Sequence, residues 1–184
     1  DGRPVALSSW RVTSGDPEVL ALVAESFGGE VEKWETTTEH DHQVLTEANT
    51  LNVELISVQS NFALWGRANK PIRTCDGVSQ QDEAKSPCAC PSDTKEHKDA
   101  AKAGTACSPS IRALVRLSDH PDLGMFRYVS GSWQLAQSIG PIEEAVSEAS
   151  GPLKATIHLE KVEWETKQGQ SRAFTKPVIT LIDG

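Results

Sequence analysis

The stretch from Cys75 to Cys107, CDGVSQQDEAKSPCACPSDTKEHKDAAKAGTAC, contains all four cysteines of the chain. Between the cysteines it is rich in serine, lysine and alanine and almost free of large apolar side chains. Because such a segment cannot bury enough apolar surface to hold one shape, we expect a cross-link. Four thiolates on one Zn²⁺ ion are the simplest cross-link, which predicts a zinc site with the ligands Cys75, Cys88, Cys90 and Cys107.

The spacing of these cysteines, C-x12-C-x-C-x16-C, differs from that of a zinc ribbon, in which two residues separate paired ligands. Cys88 and Cys90 can still present both sulfurs to one ion from an extended turn. The Asp76-Gly77 turn can offer backbone N–H groups to the Cys75 thiolate. Two disulfides or unrelated thiols are the alternatives. We expect His97 to be a solvated loop residue, although it could replace one cysteine as a ligand.

The charge of the chain is negative and unevenly distributed. The formal net charge is −8, which argues against nucleic acid as the main ligand, since such binding relies on Lys and Arg replacing counterions. Residues 16–54 contain ten acidic side chains and one basic side chain, whereas residues 67–127 contain eight acidic and ten basic ones. An acidic first third is typical of a surface that meets a basic protein.

The sequence gives little support to an enzyme. It contains no glycine-rich phosphate loop, no G-x-S-x-G elbow and no H-E-x-x-H motif. Four sulfurs fill a tetrahedral coordination sphere and leave no position for substrate, so the zinc is predicted to be structural. We therefore predict no catalytic residues and no cofactor-binding residues. The loop His40-Asp41-His42 is interpreted as an exposed turn, since no third metal ligand lies near it in the sequence.

The chain shows no secretory leader, no glycosylation sequon and no apolar run long enough to span a bilayer. These absences predict a reducing cytoplasm, where clustered cysteines are more often metal ligands than disulfides. They also predict that the protein has no membrane partner.

The apolar periodicity predicts an α+β fold with a mixed, largely antiparallel sheet or sheets and two or three helices. A helix is expected to begin at Asp16-Pro17 and end at Gly28-Gly29. A single helical turn is expected at Ser60–Trp65, and one broken helix or two helices at 133–149. Strands are predicted at 6–12, 31–35, 43–48, 51–58, 111–117 and 125–129, and a long hairpin at 153–166 and 170–182.

We predict one domain over residues 1–184, with residues 70–110 as a zinc-binding insertion between its front and back halves. A short basic run, Arg67, Lys70 and Arg73, leads into this insertion beside Trp65. It predicts either a contact with phosphate or an acidic partner, or simply a solvated approach to the first cysteine.

Several short motifs occur in one order along nearly the whole chain. They are Val12-Thr13-Ser14 before a proline-started helix, Gly28-Gly29-x-Val31-x-x-Trp34, Gln43-Val44-x-Thr46-Glu47, Cys75-Asp76-Gly77-Val78, Pro87-Cys88-x-Cys90, Cys107, Leu123-Gly124-x-Phe126-Arg127 and Lys167-x-Gly169-x-x-Arg172-x-Phe174-x-x-Pro177-Val178. This order resembles a family encoded by actinobacterial phages and prophages, which includes the recombination directionality factors of large serine integrases.

The resemblance implies a protein that has no catalytic activity and that works in the cytoplasm of the bacterial host. Such a factor binds a large serine integrase near its coiled-coil and zinc-containing C-terminal region. Binding favours attL × attR recombination, so that integration becomes excision, while DNA is contacted only indirectly through the integrase. Physically, this is a population shift between two arrangements of the integrase. The resemblance assigns no residue to the contact.

Two other functions remain open on the sequence. The first is a phage zinc-binding interaction module with another partner, which could contact nucleic acid through residues 65–73. The second is a zinc hydrolase, which would need a metal with an open coordination position.

Overall fold

A computed structural model describes residues 8–182 of the chain. Within this range it contains four α-helices and nine β-strands, so the predicted α+β class is confirmed. The elements in chain order are β1 (Arg11–Ser14), α1 (Pro17–Phe27), β2 (Val31–Lys33), β3 (His42–Leu45), β4 (Thr50–Trp65), β5 (Pro71–Cys75), α2 (Thr94–Lys102), β6 (Ser108–Leu117), β7 (Met125–Ser130), α3 (Trp133–Ser138), α4 (Gly140–Glu148), β8 (Leu153–Glu165) and β9 (Ser171–Leu181).

Contacts within the chain divide the described residues into two compact units. The first unit comprises residues 8–54, Arg116–Met125 and 153–182, and the second comprises Leu55–Val115 and Phe126–Pro152. This division does not test whether residues 1–184 form the single domain that the sequence predicts, so that domain remains a prediction. In residues 8–182, none of the helices has the length and apolar character that crossing a membrane requires.

In the first unit, helix α1 forms as its sequence predicts. The Asp16 side chain caps the helix by accepting a hydrogen bond from the Glu18 N–H at 2.9 Å, and Pro17 occupies the first turn. The inner face of the helix is buried through Leu20, Val23 and Phe27. Gly28 ends the helix at a φ of 77°, a left-handed conformation that favours glycine.

Helix α1 contacts a small antiparallel sheet with the strand order β1-β3-β2. Val12 pairs with Val44 in this sheet, and Val44 is fully buried. The strand predicted at 6–12 is observed at Arg11–Ser14, while its Ala6 and Leu7 lie outside the described residues.

The predicted long hairpin is also confirmed in the first unit. Strands β8 and β9 pair antiparallel without a break, from Ala155 opposite Leu181 to Glu165 opposite Ser171. Gly169 takes a φ of 74° in the connecting turn, as glycine does most easily.

A six-stranded sheet has the order β7-β6-β4-β8-β9, with β5 also paired to β4. Strand β4 continues to Trp65, so the helical turn predicted at Ser60–Trp65 is wrong. The apolar side chains in this segment fit a helical turn and a strand equally well over so few residues. Pairing with β5 decides for the strand, because its ladder satisfies the backbone groups of residues 62–65.

The second unit contains the cysteine segment and helices α2, α3 and α4. The break predicted at Gly140-Pro141 separates α3 from α4. Helix α2 was not predicted, so the structure has four helices where two or three were expected. Asp93 is nevertheless a clear N-cap that accepts hydrogen bonds from the N–H groups of Lys95 and Glu96. The alanine, lysine and glutamate content of residues 94–102 also favours a helix.

Candidate metal centre

Strand β5 brings the first cysteine and a cation to the same face of the second unit. In the antiparallel register, Cys75 lies opposite Phe62 and Arg73 lies opposite Leu64. Since side chains alternate along a strand, residues 73 and 75 point to one side of it. Phe62 and Leu64 pack on this side against a buried cluster that contains three of the cysteines.

A tight turn after β5 donates a hydrogen bond to the Cys75 sulfur and holds Cys88 beside it. The carboxylate of Asp76 accepts hydrogen bonds from the N–H groups of Val78 and Ser79 at 2.8 and 2.7 Å. Gly77 has a φ of 98° and donates its backbone N–H to the Cys75 sulfur. The Val78 carbonyl then accepts a hydrogen bond from the Cys88 N–H at 2.7 Å, which holds Cys88 beside the turn. The Asp76-Gly77 turn thus offers a backbone N–H group to the Cys75 sulfur, as the sequence predicts.

The sulfur atoms of Cys75, Cys88, Cys90 and Cys107 all lie within 4.8 Å of one another, and all four cysteines are free. The Cys88 and Cys90 sulfurs are 3.3 Å apart, and those of Cys75 and Cys90 are 4.0 Å apart. A tetrahedral ion with bonds of about 2.3 Å to sulfur separates its ligands by about 3.8 Å. The donor set therefore fits a metal ion, and the four cysteines could hold one. The structure thus brings together the four residues for which the sequence predicts a shared metal ion.

His97 has a different place from the one predicted. It lies on α2 and is only 6% exposed, so the prediction of a solvated loop histidine is wrong. Its Nε2 donates to the Cys107 carbonyl oxygen at 2.8 Å, and its ring packs against the rings of Phe62 and Trp133, each 5.1 Å away between centroids. Because Nε2 is occupied by the carbonyl, His97 supports the backbone of a cysteine through this nitrogen.

Arg73 is the residue of the site that the sequence did not identify. Its Nε lies 3.4 Å from the Cys107 sulfur and its Nη2 lies 3.7 Å from the Cys90 sulfur, so the guanidinium donates to both. Nη2 also donates to the Thr105 carbonyl oxygen at 3.5 Å. The signal available in the sequence was its position two residues before Cys75, because residues two apart on a strand share one face.

The thiols have perturbed acidities in this environment. Burial raises the pKa of the Cys75 thiol, and the hydrogen bond with Cys88 adds to the rise. Burial likewise raises the pKa of Cys107. Burial also opposes ionisation of the Cys90 thiol. Its pKa is nevertheless lowered, because its sulfur accepts a hydrogen bond from the Cys107 N–H at 3.3 Å and takes part in hydrogen bonds with the other thiols. A metal ion must displace protons from Cys75 and Cys107, so binding there is coupled to pH.

The hydrogen bond to Cys107 is the main reason that the pKa of Arg73 is raised. The guanidinium cation lies beside the Cys107 and Cys90 sulfurs, where it would offset part of the −2 charge that four thiolates and one divalent ion carry.

The other histidines flagged in the sequence form no metal site with these sulfurs. His42 lies in β3 of the first unit, and its Nδ1 is paired with the Asp41 carboxylate at 2.8 Å. The exposed turn predicted for His40-Asp41-His42 is wrong for its second half: His40 is exposed, but Asp41 and His42 are half-buried, because His42 begins β3 and pairs there with the neighbouring strands.

The family model described as "Gp3-like: Recombination directionality factor-like" matches residues 1–182. The chain belongs to this family. The match covers almost the whole sequence and confirms the resemblance to recombination directionality factors. It supports a role in directing recombination, which is regulatory and which implies contact with an integrase. No solved structure matches the chain.

Proposed function

We propose that this protein binds a large serine integrase and switches site-specific recombination from integration to excision, favouring attL × attR. The family match over residues 1–182 is the observation that carries this proposal. We propose the coiled-coil and C-terminal region of the integrase as the contact, in the cytoplasm of the bacterial host. A factor that binds one arrangement of the integrase more tightly shifts its population, and a few kcal/mol of difference suffices.

We further propose that Cys75, Cys88, Cys90 and Cys107 bind one structural Zn²⁺ ion and that residues 70–110 are a zinc-binding insertion. Sulfur ligands and near-tetrahedral spacing support zinc among the divalent ions. Four protein ligands would leave no open coordination position, which supports an accessory factor without catalytic activity over a zinc hydrolase.

The charge distribution supports contact with the integrase protein rather than with DNA. The net charge of −8 repels a polyanion, and the ten acidic residues in 16–54 suit the basic surface of a DNA-binding partner. We therefore propose that the factor meets DNA only indirectly, through the integrase.

A recombination assay tests the proposal. The integrase encoded by the same phage or prophage is incubated with attL and attR substrates, and separately with attP and attB, with and without the factor. We expect the factor to stimulate the attL × attR reaction and to inhibit the attP × attB reaction. Unchanged product yields in both reactions would exclude the proposed role.

A phage zinc-binding module with a nucleic-acid partner is the second candidate, and the exposed Trp65, Arg67 and Lys70 favour it. Binding of duplex and single-stranded DNA to the isolated protein, measured as a function of salt, separates the two. A DNA-binding module loses affinity steeply as salt rises.

We predict that Arg73→Gln weakens metal binding about ten- to a hundred-fold, as is typical when a hydrogen-bond donor to the ligands is removed. The substitution removes the cation beside the Cys90 and Cys107 sulfurs. Metal affinity is measured by competition with a coloured chelator. Arg67→Gln is the matched control, since Arg67 lies in the preceding exposed turn, and it should leave the affinity unchanged. Equal affinities for the two variants would contradict a role for Arg73.

A further inference from the structure

The ribbon formed by β4 and β5 has two different faces. Phe62 and Leu64 lie on the face that packs against the cysteines. The alternating residues Asn61, Ala63 and Trp65 lie on the opposite face. With side chains from neighbouring segments, they line a groove of about 190 Å³. Polar and cationic members of this lining are Gln59, Asn61, Thr74, Gln81, Ser110 and Arg112.

This part of the chain is basic although the protein is acidic. Residues 55–75 contain three basic and no acidic side chains, in a chain with a net charge of −8. Arg73 is directed to the sulfurs, but Arg67 and Lys70 are exposed in the turn between β4 and β5. Arg112 is exposed in the groove. The exposed charges of residues 55–75 and of Arg112 in the groove are therefore positive.

Two large apolar side chains are exposed beside these cations. Trp65 is 41% exposed at the edge of the groove, and Ile72 is 71% exposed. The register shifts between Leu64 and Trp65, which makes Ile72 the extra residue of a β-bulge. Ile72 lies over Gly66, where an added Cβ would come within 2.9 Å of its side chain. The local backbone thus presents Ile72 outward.

Two acidic residues after β5 accept hydrogen bonds from backbone N–H groups of their own loops. The Asp76 carboxylate accepts the Val78 and Ser79 N–H groups, and the Asp82 carboxylate accepts the Ser86 N–H at 2.8 Å. These hydrogen bonds lower the pKa of both carboxyl groups. Glu83 is the third acidic residue of the segment that follows β5, and it is exposed.

We propose that this surface, the Trp65 face (Trp65, Arg67, Lys70, Ile72 and Arg112), binds an acidic segment of a protein partner that also carries apolar side chains. The inference rests on the proposed function, in which that partner is the integrase. Charge complementarity requires an acidic occupant, and aromatic and arginine side chains are those that most often dominate protein interfaces. Three cations in an acidic chain are few for a nucleic acid, and Ile72 suits a protein better than phosphates.

The cysteine cluster supports the Trp65 face from behind. Strand β5 ends at Cys75, so the cluster fixes one strand of the ribbon whose other face forms the groove. The cluster then contributes to binding by holding the ribbon in place, without contacting the partner.

The test is the affinity of the purified protein for the purified integrase of the same phage or prophage. The double variant R67E/K70E should bind at least about tenfold more weakly, because two attractive charges become repulsive. I72S should also weaken binding, because a protein partner loses an apolar contact. A nucleic acid held through its phosphates would bind I72S as tightly as the wild type. K102E/K167E is the matched control: it makes the same charge change at two exposed lysines elsewhere and should bind like the wild type. Metal content and thermal midpoint are measured for every variant.

The outcomes separate this inference from the proposed function. If the wild-type protein does not bind the integrase, both are overturned. If it binds and R67E/K70E keeps full affinity, the Trp65 face alone is overturned. If I72S keeps full affinity while R67E/K70E loses binding to a duplex DNA probe, the occupant is nucleic acid and the protein occupant is overturned.

Discussion

Replacement of any one of Cys75, Cys88, Cys90 or Cys107 by serine is expected to release the metal and disorder residues 70–110. The segment between the cysteines has few large apolar side chains, so the sulfurs and their ion supply most of what holds it. Removing one ligand also leaves the other three thiol groups, most of them buried, without a common partner. The metal content is measured after gel filtration, and the order of the segment by hydrogen exchange.

Ala89→Ser is the matched control for these variants. It introduces the same hydroxyl group between Cys88 and Cys90, at an exposed position, and keeps all four sulfurs. It should retain the metal and the protection of the segment from exchange. A full complement of zinc in all four cysteine variants would contradict the four-thiolate site.

Leu20→Ala is expected to lower the free energy of unfolding by about 2–5 kcal/mol. Leu20 is fully buried on the inner face of α1, with Val23, Phe27 and Val44 among the buried residues of the same unit. The substitution removes apolar contacts and leaves a cavity that the neighbouring side chains fill only in part. Urea unfolding followed by circular dichroism gives the free energy.

Leu22→Ala makes the same chemical change two residues further along the helix, at a side chain that is 38% exposed. It should cost less than about 1 kcal/mol, since an exposed site loses less apolar burial and leaves no closed cavity. Equal losses for the two variants would show that α1 does not pack through the face described above.

The elements that the sequence predicted correctly have local signals. Helix α1 has its cap at Asp16, its proline at 17 and its glycines at 28 and 29 within a few residues of the element they delimit. The β8–β9 hairpin has long β-type segments on both sides of one glycine turn. In such elements local preference and global fold agree, so the pattern alone is sufficient.

The errors lie where distant residues decide. Residues 60–65 belong to a strand because β5 pairs with its end. The local pattern of residues 60–65 does not encode this pairing, since β5 comes later in the chain, after a turn. His97 is buried because α2 places it against Phe62, Trp133 and the Cys107 carbonyl, which are 10 to 36 positions away. Helix α2 itself had a capping signal that was outweighed by the polar composition of its segment.

Composition and spacing by themselves determined that all four cysteines fall in one polar segment, that the chain is acidic and that it belongs to the α+β class. These properties depend on residue types and on short-range order. Only the tertiary structure decided that Arg73 and His97 support the cysteines, and that Trp65 and Arg112 line a groove on the other side of the same ribbon. The physical reason is that strand pairing sets which side chains share a face, and pairing is a property of two segments rather than one.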